Sequence, residues 1–293
     1  MKEVCEITRK FITPLLPSEI EGERNLDRAE ELQREGYGIV VLHTHFSSRD
    51  SIQVLKDLIL KNKLIQNKEV VFPIEERLYD NSKFILEPLI RNTQIKLCPM
   101  VTQASLKYFD SKQQKKYEKA QKARPDLREK LIIKLEQERK ELLLKQKQHQ
   151  TSYFKTAVDV LGRGGVVIES PQTTRRSQLF IPEKYDDRTS PVAVSTLIAH
   201  LDHKSLDKVA FLFIGLGIKD IKNYTNKNFL NLDKKYIDRI GPVYTKNELE
   251  KISFDQSRKN TGNHGNTLRG IEKTVAEELG KLVPPEYLKS PFS

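Results

Sequence analysis

The sequence predicts an α/β fold: a central mixed, mostly parallel sheet flanked by helices, with an inserted charged helical hairpin. Three observations predict it. Apolar runs such as Gly38-Ile-Val-Val-Leu42 and Val209-Ala-Phe-Leu-Phe-Ile214 carry no polar alternation, so they read as strands buried on both faces. These runs alternate with stretches of helical periodicity. From about Asp110 to Gln150 the composition turns to lysine, glutamine, glutamate and leucine, the pattern of solvated helices. The 293 residues fall within reach of one large α/β domain. The expected organisation is therefore a single domain over 1–293 with a helical hairpin inserted at 108–150.

Taken in order, residues 24 to 36 form an amphipathic helix ended by Gly36, followed by a buried strand over Gly38–Leu42. The apolar positions Ile52, Leu55, Leu58, Ile59 and Leu60 then recur at helical spacing, predicting a helix over 48–63. Strands are expected at Glu69–Pro73 and Gln94–Cys98, each short and bounded by turn formers. The hairpin's first helix runs through Gln113–Ala123, and Pro125-Asp126 opens the second. A helix over Ser152–Leu161, a turn at Gly162–Gly165 and a strand over Val166–Glu169 restore the alternation. A helix at Val192–His203 and a strand at Val209–Ile214 follow. The C-terminal third reads as polar, with one further helix at Gly270–Leu282.

Hydrophobic residues make up 37% of the chain, enough for a core, so a disordered chain is excluded. No apolar stretch reaches the ~18 residues of a spanning helix, and the first residues lack the apolar segment of a signal peptide. A cytoplasmic location is expected, with attachment to the inner face of a membrane as an additional option. Cys5 and Cys98 are too few for a disulfide framework or a cysteine zinc site. The formal charge of +11 calls for an anionic partner: nucleic acid, an anionic membrane surface or a phosphorylated substrate.

Open α/β sheets place their chemistry in loops at the carboxyl ends of parallel strands. The first such loop carries His45-Phe-Ser-Ser-Arg-Asp50. An aspartate in the first turn of the following helix can hold one imidazole nitrogen and leave the other to act as a general base. The competing reading is a capping box of Ser47 with Asp50, which leaves His43 and His45 as incidental loop residues. The second loop, Pro171-Gln-Thr-Thr-Arg-Arg-Ser177, combines guanidinium and hydroxyl donors suited to a phosphate, or is a solvated basic turn. His200 and His203 lie three apart on a helix, but without a carboxylate or cysteine pattern beside them no metal is expected.

In this order, each after a strand, the two loops resemble the glycerolipid acyltransferase family of lysophosphatidic acid and soluble glycerol-3-phosphate acyltransferases. Thr44-His45-Phe46-Ser47-Ser48-Arg49-Asp50 is similar to that family's first block, asparagine-His-x-Ser-x-x-Asp. Ser170-Pro171-Gln172-Thr173-Thr174-Arg175-Arg176 is similar to its third, Phe-Pro-Glu-Gly-Thr-Arg-Ser, with Gln172 and Thr173 replacing the acidic residue and the glycine. The second block, an apolar run ending in a phosphate-binding arginine or lysine, has Arg91 and Lys96 as its nearest basic residues. Phe211–Gly217 is similar to the fourth block, with glycine in place of proline.

The resemblance implies His45 as general base oriented by Asp50. It implies a substrate site of Ser47, Pro171, Gln172, Thr174, Arg175 and Arg176, with Arg91 or Lys96. It further implies acyl-CoA or acyl carrier protein as co-substrate, a glycerol phosphate or lysophospholipid as acceptor, and no cofactor. Two other readings stay open. One is a nucleic-acid-binding or interaction protein using the basic hairpin, disfavoured by few aromatics near its lysines. The other is an inactive lipid binder of the same fold.

Overall fold

The computed structural model describes residues 18–44, 54, 64, 68–77, 79–81, 83, 90, 94–122, 125–171, 192–218, 236–261 and 267–283. Their elements in chain order are β1 (Ser18–Glu21), α1 (Arg24–Arg34), β2 (Gly38–His43), β3 (Val70–Glu75), β4 (Ile95–Met100), α2 (Gln103–Gln121) and α3 (Pro125–Gly162). There follow β5 (Val166–Glu169), α4 (Val192–His203), β6 (Val209–Ile218), β7 (Tyr236–Thr245), α5 (Lys246–Thr261) and α6 (Thr267–Lys281).

The strands form one mixed, mostly parallel sheet in the order β1-β7-β6-β2-β5-β3-β4. Strands β6, β2, β5, β3 and β4 run parallel; β7 is antiparallel to β6 and carries β1 parallel to itself. Strands β2 and β5 are buried at every residue, as central parallel strands covered on both sides must be.

Alternation along each strand sorts the side chains onto two faces. Val40, Leu42, Val167, Phe211 and Phe213 pack against α3, α4, α5 and α6. Ile39, Val41, Val166, Ile168 and Leu212 pack against α1 and against Val54 and Leu64. Helix α1 does this with Leu26, Ala29 and Leu32, a stripe at three-residue spacing and at most 2% exposed. Burial of each of the two leucines contributes roughly 1.5–3 kcal/mol. The helix ends where Gly36 takes φ +91, with Tyr37 N–H donating to Leu32 O and Gly36 N–H to Gln33 O. That paired closure needs the left-handed residue that glycine supplies, and it turns the chain straight into β2.

Three sequence expectations change. A helix arm ending at 150 and a separate helix at 152–161 are one helix, because nothing between Pro125 and Gly162 breaks it; α3 spans 38 residues. Strands β1 and β7 and helix α5 are absent from the sequence reading. Asp238, Arg239, Gly241 and Pro242 punctuate β7, which gains its strand character from pairing at the side of the sheet, not from an apolar run. Strand β6 extends to Ile218, four residues past the expected end, along its antiparallel ladder with β7. The helix expected over 48–63 lies outside the described residues apart from Val54. Among the described residues no helix is long and apolar enough to cross a membrane.

Gly38 supports the closeness of sheet and helix. A Cβ there would lie 2.5 Å from the Leu161 carbonyl oxygen and 2.7 Å from its Cα, both backbone atoms. Gly38→Ala is expected to lose about 1–3 kcal/mol by overpacking, seen as a lower urea midpoint with unchanged slope. Gly162→Ala, whose Cβ would meet only Leu206 methyls at 3.8 and 3.9 Å, is the control and should leave the midpoint near wild type.

Candidate functional site at the carboxyl edge of the sheet

Strands β2 and β5 are neighbours, with Leu42 opposite Glu169. Their onward connections take opposite faces. After β2 the chain packs Val54 and Leu64 against the α1 face, whereas after β5 it forms α4 against the other. Adjacent parallel strands whose connections diverge in this way open a crevice at their carboxyl ends, the preferred ligand position of open α/β sheets.

The β2 end is firmly held. Thr44 N–H donates to Ile214 O at 3.1 Å, and Leu216 N–H donates to Thr44 Oγ1 at 2.8 Å. His43, buried, donates from Nδ1 to the Thr44 carbonyl at 2.8 Å. Burial is the main cause lowering its pKa to about 4, so the ring is neutral at pH 7. His43 is thus a neutral structural residue of the strand end, not an incidental loop residue.

The β5 end carries a buried acid. The Glu169 carboxyl meets the Tyr153 hydroxyl of α3 and the Ser170 backbone N–H. Burial raises its pKa to about 7, against the opposing pull of these two hydrogen bonds. The same environment pushes the Tyr153 phenol well upward, burial first and the Glu169 charge second. No salt bridge is formed by Glu169 among the described residues.

At the β3 end, Arg77 donates from Nε and Nη2 to Glu75 Oε1 at 3.0 and 2.6 Å and lies over the Tyr108 ring, 4.2 Å from its centroid. Ser105 Oγ donates to the same Glu75 oxygen at 2.9 Å. Helix α3 reaches this edge through residues four apart. Lys145 Nζ lies 2.6 Å and His149 Nε2 4.0 Å from Glu76 Oε1, and Tyr153 engages Glu169 one turn later.

Of the residues expected from sequence, Pro171 is described, buried two residues beyond the end of β5 on this edge. Lys96 is described but not brought here. It faces Val71 near the start of the β3–β4 pair and binds Glu69 at 2.6 Å, at the amino edge of the sheet. Arg163 holds the same Glu69, and with Lys96 keeps that carboxyl below its ordinary pKa. His45, Ser47, Asp50, Arg91, Gln172, Thr174, Arg175 and Arg176 lie outside the described residues.

The sequence reading missed Arg77, Glu169 and Tyr153. Arg77 had a signal: the apolar run Val70-Val-Phe-Pro-Ile74 ends three residues before it. Glu169 and Tyr153 had none beyond a charge closing an apolar strand. His200 and His203 are exposed, His200 stacked on Phe154 with centroids 5.2 Å apart. Among the described residues no group of three or more His, Cys, Asp or Glu could hold a metal. Cys98 is half-buried, and burial raises its thiol pKa, which disfavours a reactive thiolate.

Compared with known proteins, the sequence matches no family model and no curated protein at a significant level.

His43 and Glu169 give opposite pH dependences of stability. His43 has its pKa lowered from 6.5 to about 4, so its stabilisation is full above pH 6.5 and is lost as pH falls toward 4. Glu169 has its pKa raised from 4.5 to about 7, so its stabilisation is full below pH 4.5 and is lost as pH rises toward 7. Between pH 4.5 and 6.5 the two slopes, each about 1.4 kcal/mol per unit, cancel. Glu169→Gln should therefore gain stability with rising pH, relative to wild type, at that slope in urea titrations. Parallel pH curves for the two proteins would contradict a buried, neutral Glu169.

Proposed function

We propose that the chain is an acyltransferase moving a fatty acyl group from a thioester of coenzyme A or acyl carrier protein to a hydroxyl of a glycerol phosphate or lysophospholipid. The observation that carries the proposal is the pairing of β2 with β5 at a point where their connections diverge. The two sequence blocks that resemble acyltransferase motifs follow these two strands and no others.

In the proposed reaction His45 takes the acceptor's hydroxyl proton as that oxygen attacks the thioester carbonyl. Collapse of the tetrahedral intermediate forms the ester, breaks the carbon–sulfur bond and returns the proton to the leaving thiolate. Asp50 fixes the imidazole tautomer and supports its positive charge. Arg175 and Arg176 hold the acceptor's phosphate. Arg77 is the better third phosphate residue, because it closes the apolar β3 run at the carboxyl edge while Lys96 sits at the opposite edge. Its side chain is 45% exposed, so the guanidinium can turn from Glu75 to a phosphate.

We read α2 with the first part of α3 as the inserted hairpin. Gln113 and Lys116 meet Glu138 at 2.8 and 3.3 Å, and Arg139 meets Asp110 at 3.1 Å. Lys116 and Arg139 are thereby paired with acids, and further acidic residues are interleaved with the lysines along both helices, the pattern of a solvated face and not of a nucleic-acid interface. A cytoplasmic protein touching a membrane surface fits the substrates proposed.

His45→Ala is expected to lower thiol release from long-chain acyl-CoA, in the presence of glycerol 3-phosphate or a lysophospholipid, by about a hundredfold to ten-thousandfold. Equal rates in wild type and variant sink the assignment. Arg77→Ala should raise the acceptor KM by about tenfold or more, whereas Lys96→Ala leaves it unchanged; the reverse order would restore Lys96.

A further inference from the structure

Helix α2 and the residue after it hold six lysines against two acids over 103–122. Tyr108, Lys112, Lys115 and Lys122 follow one another at intervals of four, three and seven, and all four are exposed. At ~100° per residue these intervals keep them within one sector of the helix about 80° wide. Gln113, buried and donating to Glu138 of α3 at 2.8 Å, marks the other side of α2. The lysine sector is therefore turned away from the partner helix of the hairpin.

The two acids leave this sector uncompensated. Asp110 accepts from Arg139 of α3 at 3.1 Å, and Glu118, beside the sector, accepts from Gln114 at 3.4 Å. Among the described residues none of Lys112, Lys115 and Lys122 is paired with a carboxylate. The result is a positive strip about 21 Å long. Its inner end is tied to the sheet, because Arg77 and Lys112 lie 4.2 and 4.7 Å from the centroid of the Tyr108 ring. Arg77 follows β3, so the strip starts at the carboxyl edge that carries the candidate site and runs outward from it.

Three kinds of anionic partner could meet such a strip. Single-stranded nucleic acid is gripped by several aromatic side chains among the cations, and Tyr108 is the sole aromatic here. A protein interface is anchored by apolar or aromatic side chains at its centre, which the strip lacks beyond Tyr108. An anionic bilayer needs only lysines aligned along its surface, and it accommodates a tyrosine at the level of the headgroups.

We infer that the lysine strip of α2 docks the protein on an anionic lipid surface, with the carboxyl edge at Arg77 beside the headgroups. The preference for lipid rests on the acyltransferase reading, whose acceptor is a phosphorylated lipid or its precursor. The attachment itself needs no turnover. The outer side of α3 is a poorer candidate: it exposes Ile133 and Leu144, but Glu129 and Glu136 alternate there with Lys130 and Lys140.

The test is co-sedimentation of the full chain with vesicles of phosphatidylcholine alone, or with about one third phosphatidylglycerol, in ~0.1 M and ~0.5 M NaCl. Wild type should bind the anionic vesicles at low salt, bind them about tenfold more weakly at high salt and stay in solution with phosphatidylcholine. The triple variant Lys112→Gln, Lys115→Gln, Lys122→Gln should bind the anionic vesicles about tenfold to a hundredfold more weakly than wild type. A second triple, Lys130→Gln, Lys140→Gln, Lys147→Gln, removes the same charge from α3 and should bind like wild type. Equal losses in the two triples point to net charge alone and overturn the inference. So does a wild type that ignores vesicles or binds both kinds equally. Retention on single-stranded RNA and not on vesicles, lost in the α2 triple, assigns the strip to nucleic acid and overturns it as well. Vesicle binding is read without substrates, so a wild type that docks but does not turn over counts against the acyltransferase reading alone.

Discussion

The parallel pairing of β2 with β5 is the constraint on which the rest depends. Its hydrogen bonds set Leu42 opposite Glu169 and so bring the ends of two sequence-distant strands to one level of one edge. Parallel neighbours cannot be joined by a tight turn, so each must send a long connection over a face of the sheet. Val54 and Leu64 after β2 pack on the α1 face and α4 after β5 packs on the other, so the two strands are where the connections change faces. Burial of the two strands on both faces makes slippage costly, since a shift by one residue would exchange the two apolar sets.

Much of this organisation was legible in the sequence, and the physical reason is burial. Central strands covered on both sides must be continuously apolar, so Gly38–Leu42 and Val166–Glu169 announce themselves. Helix α1 does so through its stripe and the glycine after it. Strands β1 and β7 escaped because strands at the side of the sheet answer to pairing partners far away in the chain, and their own residues can be polar. The length of α3 escaped for a similar reason. Its polar outer part and its apolar inner part look like two objects by composition, although no breaker separates them.

The candidate site was legible only in part. The two loops stood out because residue types suited to general-base chemistry and phosphate binding cluster after recognisable strands; of their candidate residues, Pro171 is among those described. Lys96 was singled out and Arg77 was not, because sequence distance does not reveal which edge of a sheet a residue occupies. Lys96 opens its strand and Arg77 follows the end of its own, and the direction of the parallel pair separates them by most of the strand length. Glu169 shows a different limit: a single charge at a strand end is commonplace in sequence and becomes informative only once its burial and its Tyr153 partner are known.

The continuity of α3 has a mechanical consequence. At 38 residues the helix is about 57 Å long, far beyond what its own sheet contacts can anchor. Its inner end, with Tyr153, Ala157 and Leu161, is locked into the core, while its outer turns lean on α2 and expose Leu127, Ile133 and Leu144. Backbone amides along one uninterrupted helix should therefore span nearly the full range of local opening free energies, from fraying at Pro125 to global unfolding at Leu161. An opening of the outer turns would leave the inner half, and the sheet edge it touches, in place.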